Sequence, residues 1–319
     1  MTDAALPASA PALDPSKFRD PDVTADGSVR ASVGLAELRT LWFNTGTLCN
    51  LECVNCYIES SPTNDRLQYL SLAEAERYLD ELDRDFAAVE IGFTGGEPFM
   101  NPDFMPILES ALTRGYRVLV LTNAMRPMMK CADGLLRLRD RFGENLRMRV
   151  SIDHYSERLH EMERGRHAWA RMLPGLDWLA ANGFHLSVAG RTFWTESEDS
   201  LRAGYARFLK GRGIGLDADD PERLVLFPEM DAASDVPEIT TACWGILGVD
   251  PADMMCATSR MVVHRKGEAE ASVAPCTLLP YETALDMGES LAEARAAVKL
   301  NHPHCAKFCV LGGGACSKA

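Results

Sequence analysis

Three cysteines, Cys49, Cys53 and Cys56, lie within a stretch of eight residues near the start of the chain. Thiolates are the ligands that iron–sulfur clusters select, and at this spacing three of them can bind one face of a single metal centre. A four-iron cluster needs four ligands, so three cysteines would leave one iron open to a small molecule. A zinc site is the alternative, although zinc sites commonly add a second pair of cysteines or histidines.

Glycine and polar residues follow the strands that the sequence predicts further along the chain. Gly95-Gly96-Glu97-Pro98 follows the second strand, Thr122-Asn123 ends the third, Ser151-Ile152-Asp153 ends the fourth and Arg191 ends the fifth. In isolation, each segment is equally consistent with a turn or with surface hydrogen bonding. Their order, and their repeated position at strand ends, favour a common site.

The elements that must position these residues recur about every thirty residues, which is the length of a right-handed strand–helix–strand unit. The first predicted strand ends at the cysteine loop, and the continuous apolar run Val118-Leu119-Val120-Leu121 indicates a strand buried on both faces, as in a parallel sheet. The predicted strands span 38–44, 88–94, 117–122, 146–152, 184–193 and 223–227. We therefore predict an α/β fold, a partial (βα)6 TIM-like barrel with functional groups at the C-terminal ends of its strands.

Together these segments resemble the radical SAM superfamily over about residues 38–230. The cysteine triplet followed by Tyr57, with Gly-Gly-Glu-Pro about forty residues later, is the pattern of that family; Arg164-Gly165 resembles its Arg-Gly, whereas Ala124 departs from its Thr-Asn-Gly. The resemblance implies that the triplet binds a [4Fe–4S] cluster whose open iron binds S-adenosylmethionine (SAM). The residues that it implies for SAM binding are Tyr57, Gly95, Gly96, Glu97, Pro98, Asn123, Ser151, Asp153, Arg164 and Arg191.

In that family, the carboxylate at the position of Glu97 faces the SAM ammonium group, and the later polar residues hold the ribose and carboxylate. The implied activity is reductive cleavage of SAM to a 5′-deoxyadenosyl radical that abstracts a hydrogen atom from the substrate, with electrons from an external donor of the flavodoxin or ferredoxin type. Substrates in such families are peptides or small metabolites. Because residues 1–35 are too short for a leader-peptide-binding module, small metabolites are slightly favoured.

Six cysteines follow residue 240, where the strand–helix rhythm stops: Cys243, Cys256, Cys276, Cys305, Cys309 and Cys316. A hairpin predicted around 261–267 would bring Cys256 and Cys276 together. The region resembles a SPASM/Twitch extension, which implies one auxiliary [4Fe–4S] cluster, with Cys256, Cys276, Cys305 and Cys309 as ligands and Cys316 as a substitute ligand. Zinc remains an alternative here, since His302 and His304 adjoin Cys305.

Three hypotheses about the function remain open at this stage. An auxiliary cluster favours oxidation or bond formation, whereas a free cysteine such as Cys316 could act catalytically by returning a hydrogen atom in an epimerisation. A non-catalytic iron–sulfur scaffold or electron-transfer protein is the third hypothesis. Cys131 is more consistent with an inert thiol, whereas Cys243 is equally consistent with a buried small hydrophobic residue and with a metal ligand.

Composition limits the setting in which this chemistry takes place. The 319 residues divide into a tail (1–35), the barrel (36–235) and a cysteine-rich domain (236–319). A formal charge of −13 disfavours nucleic acid as a partner. No apolar run is long enough to span a membrane, and the first thirty residues lack the features of a signal peptide, so we expect a cytoplasmic protein with reduced cysteines.

Overall fold

A computed structural model describes residues 11–87, 90–192, 194–228 and 231–314. The strands are β1 (Ser32–Val33), β2 (Thr40–Asn44), β3 (Glu90–Thr94), β4 (Arg117–Thr122), β5 (Leu146–Ser151), β6 (His185–Arg191), β7 (Leu224–Phe227), β8 (Ser259–Val263), β9 (Ser272–Ala274) and β10 (Val298–Lys299). The helices are α1 (Leu72–Asp85), α2 (Phe104–Thr113), α3 (Arg126–Met129), α4 (Ala132–Phe142), α5 (Glu157–Arg164), α6 (Ala168–Ala181), α7 (Glu198–Gly211), α8 (Cys243–Leu247) and α9 (Met255–Thr258). A π-helical turn spans Cys305–Val310.

The described residues form one eight-stranded sheet in the order β7-β6-β5-β4-β3-β2-β8-β9. All neighbouring strands in it are parallel except β8 and β9, which form an antiparallel hairpin. One or more helices connect each pair of successive strands from β3 to β7 and return the chain to the same edge of the sheet. The predicted partial barrel is therefore confirmed, and the strands from β2 to β7 all direct their C-terminal ends to one face.

Alternating side chains of each strand contribute to two different hydrophobic cores. In β4, Val118 and Val120 pack beneath the outer helices, whereas Leu119 belongs to a second core inside the barrel with Trp42. Gly92 on β3 makes room for that indole, because a Cβ there would lie 2.3 Å from the Trp42 ring. Burial on both faces explains why the central strands read as continuous apolar runs.

The chain segments on either side of the barrel pack against it. β1 pairs with β10, and a buried ion pair joins Arg30 to Glu238 at 2.5 Å. Beyond residue 235, β8 hydrogen-bonds to β2, so the barrel sheet continues into the cysteine-rich region. Among the described helices, none has both the length and the apolar character needed to cross a membrane.

Several strands are shorter than the sequence predicts. The strand predicted over 38–44 begins at Thr40, and that predicted over 184–193 spans His185–Arg191. The strand predicted over 88–94 is described from Glu90 onward, since residues 88–89 lie outside the described ranges, as does Phe193. The C-terminal ends, which carry the polar residues, lie within one or two residues of the predicted positions.

Candidate active site

The cysteine triplet lies in the loop that leaves the C-terminal end of β2. The loop is fixed by backbone hydrogen bonds, including Cys49 N–H to the Ser61 carbonyl at 3.0 Å. Two further amides donate to sulfur: Leu51 N–H to Cys49 Sγ at 3.4 Å and Ser60 N–H to Cys56 Sγ at 3.3 Å. Burial raises the pKa of the Cys49 thiol to about 12, and the Leu51 N–H group opposes that shift. The loop thus holds two of its sulfur atoms in place through backbone amides.

The Gly-Gly-Glu-Pro segment packs directly on that loop. Gly96 N–H donates to the Gly46 carbonyl at 2.8 Å, and Glu97 N–H donates to the Leu48 carbonyl at 3.2 Å. A Cβ at Gly96 would lie 2.3 Å from the Leu48 carbonyl oxygen, and Gly95 has a φ of +135°. The two glycines therefore permit close contact between the two backbones. The amide groups of Gly96 and Glu97 both donate hydrogen bonds to carbonyl groups of the cysteine loop.

Glu97 is buried behind the end of β4. Its carboxylate accepts hydrogen bonds from the Thr122 hydroxyl and from Asn123 N–H, both at 2.8 Å. Burial raises the pKa of Glu97 to about 7, although these hydrogen bonds oppose the shift. Glu97 thus holds Thr122 and Asn123 in place at the strand end, and the predicted contact of Glu97 with an ammonium group stays a prediction.

Asp153 lies between two arginines just after β5. Arg164 Nε donates to Asp153 Oδ2, and Arg191 Nε donates to Asp153 Oδ1 at 3.3 Å. Burial alone would raise the pKa of Asp153, but the charges of Arg164 and Arg191 outweigh burial and hold that pKa below its usual range. Arg191 also lies 3.7 Å from the buried Glu163 carboxylate, so two carboxylates balance the two arginines. The group lies beside the triplet, where negative charge on Cys53 and Cys49 would raise the pKa of Arg164.

Glu163 ties α5 to the cysteine loop and was not anticipated from the sequence. Its carboxylate accepts from Asn55 N–H at 2.9 Å and from Asn55 Nδ2 at 2.8 Å, while its own carbonyl accepts from Val54 N–H at 2.8 Å. Arg191 also donates to the Asn55 carbonyl at 2.8 Å. The position of Glu163 directly before Arg164 is the one sequence signal that could have indicated its role.

A cavity of about 1040 Å³, part of it open to solvent, lies at the C-terminal ends of the strands. Of the predicted cluster and SAM residues, those that line it are Cys49, Cys53, Cys56, Tyr57, Gly95, Gly96, Asn123, Ser151, Asp153, Arg164 and Arg191. Glu97 and Pro98 are not among the residues that line the cavity.

The cavity also has an apolar wall that the sequence did not predict. Phe227, the last residue of β7, lines it together with Leu278 and Phe308 from the cysteine-rich region. Phe227 could have been found from its place at the end of a predicted strand. The other two could not, because they reach the cavity only through the pairing of β8 with β2.

A second cavity, of about 360 Å³, lies within the cysteine-rich region. Its described lining includes Cys256, Cys276, Cys305 and Cys309, the four cysteines expected to bind an auxiliary cluster, together with apolar residues and His304. Burial raises the pKa of the Cys256 thiol to about 11 and that of Cys305 to about 12. Cys316 lies outside the described residues.

The identity of a metal bound by these four cysteines stays a prediction. Among the described residues, no three His, Cys, Asp or Glu side chains are placed to hold one ion. Tetrahedral zinc requires four ligand atoms at about 2.0–2.3 Å from one point. An iron–sulfur cluster instead takes one thiolate on each iron, so its cysteine sulfurs stay well separated.

Arg260 is a buried cation near the second cavity. It donates to the carbonyls of Cys256 at 2.5 Å, Ser259 at 2.8 Å and Ala294 at 2.8 Å, and no carboxylate of the described chain lies within ion-pair distance. Burial lowers the pKa of Arg260, whereas negative charge on Cys256 and Cys276 raises it. A fully buried positive charge is stabilised by a nearby anion, and cysteine thiolates can provide one here.

Comparison with known proteins gives a family and a fold. The sequence model of the radical SAM superfamily matches residues 43–202, half of the chain. AlbA of Bacillus subtilis, a subtilosin biosynthesis protein, is 31% identical over 147 residues, which are 46% of this chain and 31% of AlbA. The mycofactocin maturase MftC of Mycobacterium ulcerans is 29% identical over 136 residues, which are 43% of this chain and 35% of MftC. The matches thus span about a third of the length of each relative.

Streptococcus suis SuiB, solved bound to its precursor peptide SuiA, has the same fold. It superposes with a TM-score of 0.58 over 80% of this chain and 63% of SuiB, at 13% identity. At that identity the likeness establishes the fold alone.

Proposed function

Because this chain belongs to the radical SAM superfamily, we propose that its strand-end cavity binds a [4Fe–4S] cluster and SAM. Cys49, Cys53 and Cys56 would hold the cluster. The observation that supports this most directly is that the cysteine triplet and the polar residues of four strand ends line a single cavity. When bound, the cluster and SAM supply the 5′-deoxyadenosyl radical that removes a hydrogen atom from the substrate.

The protein side chains orient the reactants and exclude water. Arg164 and Arg191, fixed by Asp153, present positive charge suited to the carboxylate of SAM, and Asn123 and Ser151 offer hydrogen bonds to its polar groups. Phe227, Leu278 and Phe308 cover the other side of the cavity with apolar surface. Such a wall protects a reactive radical from side reactions.

We propose that Cys256, Cys276, Cys305 and Cys309 bind one auxiliary [4Fe–4S] cluster. They line one apolar cavity, and Arg260 provides a buried positive charge beside it. Leu278 lines both this cavity and the active-site cavity, so the two cavities adjoin at this residue. That proximity favours an oxidation or bond-forming reaction, in which the substrate radical passes an electron to the auxiliary cluster.

A peptide is the substrate class we propose. SuiB binds a precursor peptide, AlbA serves bacteriocin biosynthesis and MftC is a maturase, and these proteins share the fold or part of the sequence of this chain. The sequence alone slightly favoured small metabolites as substrates, whereas these relatives favour a peptide. We also propose that an external one-electron donor reduces the cluster at the cysteine triplet.

Anaerobic incubation of the iron-loaded, chemically reduced protein with SAM tests the activity. We expect 5′-deoxyadenosine, detected by liquid chromatography and mass spectrometry, from the wild type and from the control Cys131→Ala, whose thiol lines neither cavity. Cys49→Ala should produce none. Equal yields from Cys49→Ala and the wild type would refute the assignment of the triplet.

The type of reaction is tested separately with peptide substrate in deuterated water. Oxidation or bond formation predicts a product that is lighter by two hydrogens and carries no solvent deuterium at the reacting carbon. Epimerisation predicts stoichiometric deuterium there. Finding that deuterium would exclude the oxidative reaction.

A further inference from the structure

A surface groove is lined in part by Asn50 of the cysteine loop. Three basic residues, Arg126, Lys130 and Arg171, surround an apolar floor that includes Phe99 and Met125. Among the residues that the structure describes, none lines both the groove and the active-site cavity. It is therefore a distinct surface and not an extension of the substrate site.

The charge of this groove contrasts with that of the whole protein. The chain carries a formal charge of −13, yet none of the described residues that line the groove is acidic. Arg126, Lys130 and Arg171 are exposed, and none has a carboxylate of the described residues within 4.0 Å. By contrast, Arg141 pairs with Glu109 and Lys266 with Asp65. Unpaired cations beside apolar side chains are a typical surface for an acidic protein partner.

One layer of side chains separates the groove from the cysteine triplet. Asn50 lines the groove and is the chain neighbour of Cys49. Its Nδ2 donates to Met125 Sδ at 3.5 Å, and its Oδ1 accepts from Asn123 Nδ2 at 2.9 Å. Asn123 Nδ2 in turn lies 4.0 Å from Cys49 Sγ. Since electron tunnelling weakens exponentially with distance, a partner seated here would have a short route to a cluster on Cys49.

We propose that this groove, defined by Arg126, Lys130 and Arg171 around Phe99 and Met125, is the docking surface for a small acidic one-electron carrier protein. The inference rests on the proposed function, because a cluster at the triplet must be reduced before each cleavage of SAM. One electron passes from the reduced carrier to the cluster: the carrier is oxidised by one electron, the cluster is reduced by one, and no bond forms or breaks. Delivery from this side leaves the active-site cavity free for SAM and substrate.

The test compares two reductants on charge-reversed proteins. Arg126→Glu/Lys130→Glu reverses two groove charges, and Arg141→Glu/Lys266→Glu makes the same charge change at exposed positions outside the groove. With flavodoxin and its reductase at low salt, we expect 5′-deoxyadenosine formation by the groove variant to fall by roughly tenfold or more, with little change in the control. With dithionite, both variants should match the wild type. Equal flavodoxin-driven rates, or an equal loss with both reductants, would overturn the docking proposal.

Binding of oxidised flavodoxin, measured by surface plasmon resonance, keeps the two proposals separate. We expect weaker binding to the groove variant alone, and weaker binding to the wild type as salt rises. Equal affinity for all three proteins would refute the docking surface, whatever their activity. Absence of 5′-deoxyadenosine from the wild type with dithionite would instead count against the proposed function.

Discussion

Burial and hydrogen bonding act in opposite directions on the carboxyl group of Glu97. Burial dominates and raises the pKa of Glu97 from 4.5 to about 7 in the folded protein. A folded-state pKa above the unfolded-state value means that the folded protein holds this proton more tightly. The favourable contribution is therefore complete below pH 4.5 and is lost as the pH rises through about 7.

Replacing Glu97 by Gln removes this titration. We expect the free energy of unfolding of the metal-free wild type, relative to that of Glu97→Gln, to fall by up to about 1.4 kcal/mol per pH unit between pH 4.5 and about 7. Urea unfolding of both proteins at a series of pH values measures it. A difference that does not change with pH would show that Glu97 titrates near its ordinary value.

Arg260 leads to a prediction about the auxiliary cluster. The reduced form of a cluster carries one more negative charge than the oxidised form, so a nearby cation stabilises the reduced form and raises the reduction potential. We expect Arg260→Gln to lower the auxiliary potential by some tens of millivolts, where about 59 mV is a tenfold change for one electron. Arg260→Lys, which keeps the charge, should lie close to the wild type.

A redox titration followed by electron paramagnetic resonance gives both potentials. Arg260 could instead act only by stabilising the backbone through its hydrogen bonds to carbonyl groups. In that case both variants would lose the auxiliary signal, or the auxiliary potential would change in neither. Either result would contradict the electrostatic role.

At the level of the elements, the site depends on two loops in contact. The Gly-Gly-Glu-Pro loop lies so close to the cysteine loop that a Cβ at Gly96 would be 2.3 Å from the Leu48 carbonyl oxygen and 2.7 Å from that of Thr47. These neighbours are backbone atoms and cannot rotate away as a flexible side chain would. A Cβ at residue 96 would therefore force the cysteine loop to move.

We expect Gly96→Ala to destabilise the protein by about 1–3 kcal/mol and to lower the iron retained at the triplet. The matched control is Gly211→Ala at the end of α7, where nothing lies within 4 Å of the added Cβ. That change should be neutral, or stabilising by up to about 1 kcal/mol. Denaturant unfolding and iron analysis measure both variants, and equal effects would contradict the packing argument.

The sequence predicted those elements that local patterns determine. Apolar runs such as Val118 to Leu121 gave the parallel strands, and the polar residues after them gave the side of the sheet on which the cavity lies. The pairing of β8 with β2 could not be predicted, because it joins residues more than two hundred positions apart. The sequence of neither strand specifies which strand it pairs with. The same limitation concealed Leu278 and Phe308, which that pairing brings to the cavity.

The site could be predicted where residue type alone restricts the chemistry. Closely spaced cysteines have few uses other than metal binding, so the triplet could be proposed as a metal site directly from the sequence. The four C-terminal cysteines could be proposed as ligands only through the resemblance to SPASM/Twitch extensions. Glu163 could not, because a glutamate on a helix is usually a solvated residue. Only the three-dimensional structure shows that it is buried and accepts two hydrogen bonds from Asn55.

For the whole molecule, two separate metal sites predict additive iron contents. The fully loaded wild type should contain about eight iron atoms per chain, four at each cysteine set. Cys49→Ala and Cys256→Ala/Cys276→Ala should each retain about four, and the combination of all three changes should retain almost none. Colorimetric iron analysis measures these contents, and a wild type with about four would contradict the auxiliary site.

The most direct test of the central claim, that the triplet leaves one iron open for SAM, is electron paramagnetic resonance of the reduced protein with and without SAM. The account predicts that SAM changes the cluster signal in the wild type and in Cys256→Ala/Cys276→Ala, and changes nothing in Cys49→Ala. A wild-type spectrum that is identical with and without SAM, or a SAM-dependent change that persists in Cys49→Ala, would contradict it.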